Sequence, residues 1–346
     1  MTTFLEREIA EQPEVLRRLL SQEWGAAQTV AAAIRRFQPA LVYIAARGTS
    51  DNAARYGQYL IGIQTRLPVA LATPSIHTLY ESPPVLARAL VVGISQSGQA
   101  EDVAQVVRDA RQQGALTVTI TNAPDSPLAQ TGEYHIGLQA GQEISVAATK
   151  TYTAQLTAVA MLVAAMLQDA TIDQTLRALP EQVAETLRRC EPISGWAQRY
   201  RYMTQFVTVG RGYNYCTAFE ITLKLQELCY IIGHGYSEAD FLHGPIALVQ
   251  PGFPVIVVAP SGRTLPSMRS FLTRVQERQA EILVISDDES LCAAGYLAMP
   301  IPASTPEWLT PVTAVIPGQV MAAHLAMAKG HAVDQPRGLS KVTVTR

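Results

Sequence analysis

Leu41-Val42-Tyr43-Ile44-Ala45-Ala46-Arg47-Gly48-Thr49-Ser50 is an apolar run that stops at a polar, glycine-containing tetrapeptide, and a helical stretch over 52–63 follows it. A second run, Ala89-Leu90-Val91-Val92-Gly93-Ile94, ends in Ser95-Gln96-Ser97-Gly98. The spacing of Val103, Val106, Val107 and Ala110 then predicts a helix over 100–113 with one apolar face. Short strands are expected at 69–72 and 116–121, the latter ending in Asn122-Ala123-Pro124-Asp125-Ser126-Pro127, a turn and helix start. Strands alternating with helices through short loops predict an α/β fold built on a doubly wound parallel sheet.

The second half repeats this plan. A run over 206–210 ends in Arg211-Gly212-Tyr213 before a helix over 216–230, and 255–259 leads into Pro260-Ser261-Gly262 and a helix over 265–278. A strand over 281–285 then stops at Ser286-Asp287-Asp288. One and the same separation divides Gly48 from Gly212 and Ser97 from Ser261, which argues for two tandem copies of one unit. The expected organisation is N-terminal helices over 1–37 (4–23, interrupted at Gln12-Pro13, and 26–36), a first domain over 38–169, a helical linker over 170–195, a second domain over 196–330 closing with a helix over 307–329, and a tail over 331–346.

With 346 residues the chain has ample length for two domains with sizeable cores. Nearly half of it is apolar (48%) and only 16% is charged, which excludes a disordered chain. A net charge of −2 with no basic run argues against nucleic acid or an anionic membrane as partner. Cys190, Cys216, Cys229 and Cys292 form no CxxC pair and no cluster with His, so they read as buried apolar residues in a reducing, cytoplasmic compartment. The amino terminus carries acids and no apolar core of a signal peptide. The uncharged segment 151–168 is only marginally long enough to span a bilayer, and a helix buried in a globular domain is expected there.

In a doubly wound sheet, ligands bind beyond the carboxyl ends of the strands. Arg47–Ser50 and Ser95–Gly98 lie at such ends, where hydroxyls and backbone N–H groups can receive an anion. Neither loop matches GxGxxG or GxxxxGK[ST], so a sugar phosphate fits better than a nucleotide; the plainer alternative is helix-capping turns. In the second half, Glu220, Lys224 and Glu227 share one face of an otherwise apolar helix. They are either a surface ion-pair ladder worth tenths of a kcal/mol or a costly polar cluster facing a cavity. A glycine-containing turn is expected after this helix, and then His243, before Gly244-Pro245, stands in a rigid punctuated turn. No HxxxH, HExxH or Cys/His cluster is present, so no metal is expected.

As a set, Ser95-Gln96-Ser97-Gly98, Glu143-Ile144-Ser145-Val146-Ala147-Ala148-Thr149-Lys150, the 219–227 helix, Leu242-His243-Gly244-Pro245 and Leu339-Ser340-Lys341 resemble, in this order, the sugar-isomerase (SIS) domain family. The nearest resemblance is to the isomerase half of glucosamine-6-phosphate synthase, and it covers nearly the whole chain. It implies two tandem flavodoxin-like αβα domains. It also implies sugar-phosphate binding by Thr49, Ser50, Ser95, Gln96 and Ser97, with the Val146 backbone beside the sugar. Glu227 would be the acid/base between carbons 1 and 2, supported by Lys224 and Glu220. His243, from a neighbouring subunit of a homodimer with shared active sites, would open the ring, and Lys341 would approach the carbonyl end. No cofactor is implied.

Two departures stand out. Met1-Thr2-Thr3 leads straight into the SIS region, so no glutaminase domain and no ammonia from glutamine are expected. Ala100 and Ala148 replace the family's usual Thr and Ser, removing one phosphate hydroxyl. The resulting expectation is a stand-alone glucosamine-6-phosphate deaminase releasing fructose 6-phosphate and ammonia. The alternatives are a fructosamine-6-phosphate deglycase or another SIS sugar-phosphate isomerase, and a sugar-phosphate-binding regulator without turnover.

Overall fold

The computed structural model describes residues 2–341, which divide into two compact units. The first unit comprises residues 14–143, 150–178 and 340–341; the second comprises 2–13, 144–149 and 179–339. The units are therefore interleaved along the chain rather than laid end to end in sequence.

Helix α1 (Phe4–Ala10) belongs to the second unit, and α2 (Gln12–Gln22) carries the chain into the first. There follow α3 (Trp24–Phe37), β1 (Leu41–Ala45), α4 (Thr49–Thr65), β2 (Val69–Leu71), α5 (Pro74–Thr78), β3 (Ala89–Ser95), α6 (Glu101–Gln112), β4 (Leu116–Thr121), α7 (Pro127–Thr131), β5 (Tyr134–Gly137), α8 (Lys150–Leu167) and α9 (Ala170–Arg177). All five strands run parallel in the order β2-β1-β3-β4-β5. Every residue of β3 is buried, as the continuous apolar run of a central parallel strand requires. Val103, Val106, Val107 and Ala110 of α6 are all fully buried and pack in one cluster with Val91 of β3.

The second unit continues with α10 (Leu179–Arg189), α11 (Ile193–Trp196), β6 (Gln205–Gly210), α12 (Tyr215–Cys229), β7 (Ile232–Ser237), α13 (Glu238–Leu242), β8 (Pro254–Val258), α14 (Leu265–Glu277), β9 (Glu281–Ser286), α15 (Glu289–Ala294), β10 (Leu297–Pro300) and α16 (Thr310–Ala328). Its parallel order is β7-β6-β8-β9-β10, strand for strand that of the first sheet. Two tandem, doubly wound αβα domains are thus present, and each has its topological switch between its first and third strands.

The structure corrects one expectation. Residues 232–237 are not a glycine turn but the edge strand β7. A Cβ on Gly233 would come within 2.2 Å of the Phe206 ring, and one on Gly235 within 3.0 Å of the Phe219 backbone. Gly233 thus makes room for the Phe206 ring of β6, and Gly235 for the backbone of α12, rather than for a reversal. Edge strands β5 and β10, each four residues long, are too short to show a period in the sequence.

Helix α8 is buried over 89% of its membrane-length window, and a second apolar segment, Glu307–Ala328, over 78%. Each serves as a core helix of its own unit. Three cysteines are buried, Cys292 is half-buried, and none is in a disulfide. Burial pushes the Cys190 and Cys229 thiols up to about 12, which makes them inert apolar packing.

Candidate active site

In the second unit, β6 ends at Gly210, a short 3-10 turn over Gly212–Asn214 follows, and α12 begins at Tyr215. This places α12 directly after the carboxyl end of a strand beside the switch point. Lys224 Nζ lies 2.6 Å from Glu227 Oε2 and 3.4 Å from Glu220 Oε1. The side chain of Glu220 is 0% exposed, that of Lys224 1% and that of Glu227 23%. A surface ladder is thereby ruled out: two of the three charges are out of water, and the third is the one that reaches outward. Burial by itself pulls the Lys224 amine down, but the combined attraction and hydrogen bonding of Glu227 and Glu220 outweigh it. The amine is held above its ordinary range, as an ammonium.

His243 closes α13, its backbone N–H donating to the Asp240 carbonyl at 3.2 Å, and its side chain is exposed. Among the described residues it makes no hydrogen bond or ion pair with Glu220, Lys224 or Glu227. The following Gly244, at φ 145°, supplies a backbone bend that other residues rarely adopt.

The Val146 loop is also built into this unit. Its N–H donates to the Asp334 carbonyl at 3.2 Å. The Asp334 carboxylate in turn accepts from Leu5 N–H at 2.9 Å and Phe4 N–H at 3.1 Å, capping α1. Glu8, on α1, accepts from the N–H groups of Ile144 and Ser145 and from the Ser145 hydroxyl. A buried carboxylate and the tail therefore fix the loop backbone, a clamp whose partners lie too far apart in sequence to be paired by any local pattern.

In the first unit the two anion-loop candidates end neighbouring strands β1 and β3. Gly48 adopts φ 54° and lets the chain turn from β1 into α4. Thr49 begins that helix, half-buried. Ser50 is buried, and its hydroxyl accepts from Gln155 Nε2 at 2.9 Å, so it holds the loop to α8. Ser95 Oγ accepts from Gly98 N–H at 3.1 Å, and Ser97 Oγ from Gln99 N–H at 3.3 Å. Gln96 and Ser97 are half-buried. Gly98 is at φ 66°, and a Cβ there would lie 1.9 Å from Ser126 Oγ, so the loop tolerates only glycine. Ala100 is the N-cap of α6 and provides no side-chain cap, leaving the helix end without the hydroxyl usual at such positions.

Lys341 is ion-paired: its Nζ lies 2.8 Å from Glu143 Oε2. The Glu143 side chain is fully buried and also accepts from the Thr151 N–H (3.1 Å) and hydroxyl (2.7 Å). Glu143 thus docks the tail lysine, a partnership that the sequence reading left unpaired although both residues lay inside quoted motifs. Another pair that the sequence does not reveal is Arg47 with Asp102, whose Nε and Oδ2 are 2.7 Å apart. Among the described residues no group of three or more His, Cys, Asp and Glu is placed to hold a metal.

Comparison with known proteins agrees with the two-domain fold. The family profile described as the SIS domain matches residues 38–165 and 203–329. Glutamine–fructose-6-phosphate aminotransferase (isomerizing) of Pyrococcus horikoshii is 34% identical over 99% of this chain, which spans 58% of that protein's length. Among solved structures, a candidate phosphosugar isomerase from Silicibacter pomeroyi DSS-3 superposes with a TM-score of 0.86 at 32% identity, covering 96% of this chain and 99% of that one. The C-terminal domain of glucosamine-fructose-6-phosphate aminotransferase from Francisella tularensis gives 0.88 at 27% identity, covering 97% and 99%.

Lys224→Met would leave Glu220 buried without its cation, and breaking such a pair costs about 3–5 kcal/mol. Denaturant unfolding should show a loss of that size; a loss below about 1 kcal/mol would contradict the buried-pair description. The raised amine makes its contribution fully present below the unfolded lysine value of about 10.4 and loses it only as pH rises through the still higher folded value. The part of wild-type stability owed to this amine should therefore stay constant from about pH 7 to 10 and decline above that, as denaturant unfolding of the wild type across this range would show.

Proposed function

The chain belongs to the SIS-domain family, and from that premise we propose that it converts an amino-sugar 6-phosphate, glucosamine 6-phosphate in the first instance, to fructose 6-phosphate and ammonia. The observation that carries the reading is the buried Glu220–Lys224–Glu227 cluster, with Glu227 as its outward end. Aldose–ketose transfer needs one base able to serve two adjacent carbons and a cation close to the charge that develops. Glu227 takes the proton from C2 of the open-chain sugar and returns it to C1, while the former aldehyde oxygen gains a proton and becomes a hydroxyl. The C2 amine gives up one N–H proton, which balances the proton gained by the oxygen, and becomes an imine; water adds to C2 and ammonia leaves. Lys224 lowers the energy of the negative intermediate, and Glu220 keeps Lys224 charged and in place. Every step is a proton transfer, a hydration or the loss of ammonia, so the reaction as proposed needs no cofactor.

The remaining roles belong to the same proposal. The hydroxyls and N–H groups of Thr49 and Ser95–Ser97 receive the phosphate, with Ser50 bracing the first loop. The Val146 backbone lies beside the sugar, and Lys341 serves the carbonyl end. The exposed His243 ring supports a homodimer in which the histidine opens the sugar ring in a neighbouring subunit. Four cysteines outside any disulfide support a cytoplasmic setting, which cell fractionation would check.

Ammonia and fructose 6-phosphate should appear in equal amounts from one member of a panel of amino-sugar 6-phosphates. Release of an amino acid from a fructosamine phosphate instead would replace the deaminase reading with a deglycase. Glu227→Gln should lower kcat by about 10²-fold or more while substrate still binds; a wild-type kcat would remove Glu227 from the base role. Mixing Glu227→Gln with His243→Ala subunits should recover part of the activity in verified mixed dimers, and no recovery would place the histidine's work within one chain.

A further inference from the structure

The Ser95–Gly98 loop contains no cation, and Ala100 removes a hydroxyl from the start of α6. A phosphate dianion at this place would meet only neutral donors. The missing charge stands at the end of the adjacent strand. Arg47 is the second residue past β1, and β1 pairs directly with β3 at the switch point of the sheet. Its Nε donates to Asp102 Oδ2 at 2.7 Å, and Asp102 is fully buried in the first turn of α6, just beyond the anion loop. The bond reaches from one strand-end loop to the other, across the crevice where ligands bind in this topology.

The pairing has a directional consequence. A guanidinium offers five N–H donors in a rigid plane. With Nε engaged by Asp102, the edge carrying the two Nη groups is left for another acceptor. The Arg47 side chain is 47% exposed, whereas that of Asp102 is not exposed at all. Arg47 also lines a cavity of about 330 Å³ together with Gly48, Asp51, Arg55, Leu71 and Thr73. The charged groups facing it there are Asp51 and Arg55, which pair with each other at 3.2 Å. Asp51 also attracts Arg47, and this cavity lies on the β2 side of the arginine; the link from Arg47 to the Ser95–Gly98 side is the bond to Asp102.

We propose that Arg47 is a phosphate ligand of the sugar-phosphate site, binding through its Nη edge, and that Asp102 is the positioning residue that aims it. The inference rests on the sugar-phosphate reading above and adds the residue that supplies the charge. Arginine rather than lysine suits the task, because it can bond Asp102 and a phosphate oxygen at the same time from different nitrogens.

Isothermal titration with fructose 6-phosphate and, separately, inorganic phosphate tests this in the full-length protein. Arg47→Ala should weaken both ligands by about tenfold or more, in line with the loss of a charge-assisted bond. Arg47→Lys should recover only part, since one ammonium cannot serve both acceptors as well. Arg47→Ala alone leaves Asp102 buried without its partner, so the double variant Arg47→Ala/Asp102→Asn guards against a folding defect and should show the same weakening. Affinities within twofold of wild type in the folded double variant would overturn the assignment while leaving the sugar-phosphate reading standing. Arg47-dependent phosphate binding without turnover of any amino-sugar phosphate would support the assignment and overturn the reaction. A wild-type protein that binds neither ligand would overturn both.

Discussion

A lysine that is 1% exposed is the constraint on which the second unit depends. Removing an ammonium from water costs several kcal/mol even after relaxation, and one ion pair seldom recovers it. Two carboxylates from the same helix, one turn away on either side, do so here. Their spacing is a property of α12, and α12 keeps its position because its other faces are filled by Ile221, Leu225 and Leu228 and because Gly235 lets β7 lie close beneath it. Substituting Gly233 would press on the Phe206 ring of β6, and substituting Gly235 on the Phe219 backbone and so on the helix that carries the charges. The apolar packing thus determines where the chemistry can sit.

The two units share one strand order but hold the loops after their strands differently. In the first, the loops after β1 and β3 are shaped by Gly48 and Gly98 and braced by the Ser50–Gln155 and Ser95–Gly98 hydrogen bonds. In the second, the corresponding loop after β8 contains Ser261 and Gly262, but the Ser261 N–H is taken by Asp287 and the Arg263 N–H by Glu307. Protein carboxylates already occupy the donors that an anion would need. The second copy has kept the architecture and moved its polar investment to α12.

Most of the fold was readable because a fully buried parallel strand followed by an amphipathic helix leaves a strong signal, as at Ala89–Ser95 and Val103–Ala110. What escaped was short or depended on distant partners. β7 was read as a turn because glycine in a strand signals a turn unless one knows which helix must approach it. Glu220, Lys224 and Glu227 were visible as a face, but their burial was not: local spacing is the same for a surface ladder and for a core cluster. Arg47–Asp102, Glu8–Ser145 and Glu143–Lys341 pair residues remote in sequence, and only tertiary structure brings each pair together.

The central claim is that Glu227 moves a carbon-bound proton. The most direct measurement is hydrogen exchange at C1 of fructose 6-phosphate incubated with enzyme in D₂O, followed by NMR. Wild-type protein should replace one C1 hydrogen with deuterium, and Glu227→Gln, with ligand bound, should leave both in place. Exchange by the variant at the wild-type rate, or no exchange by the wild type, would contradict the account.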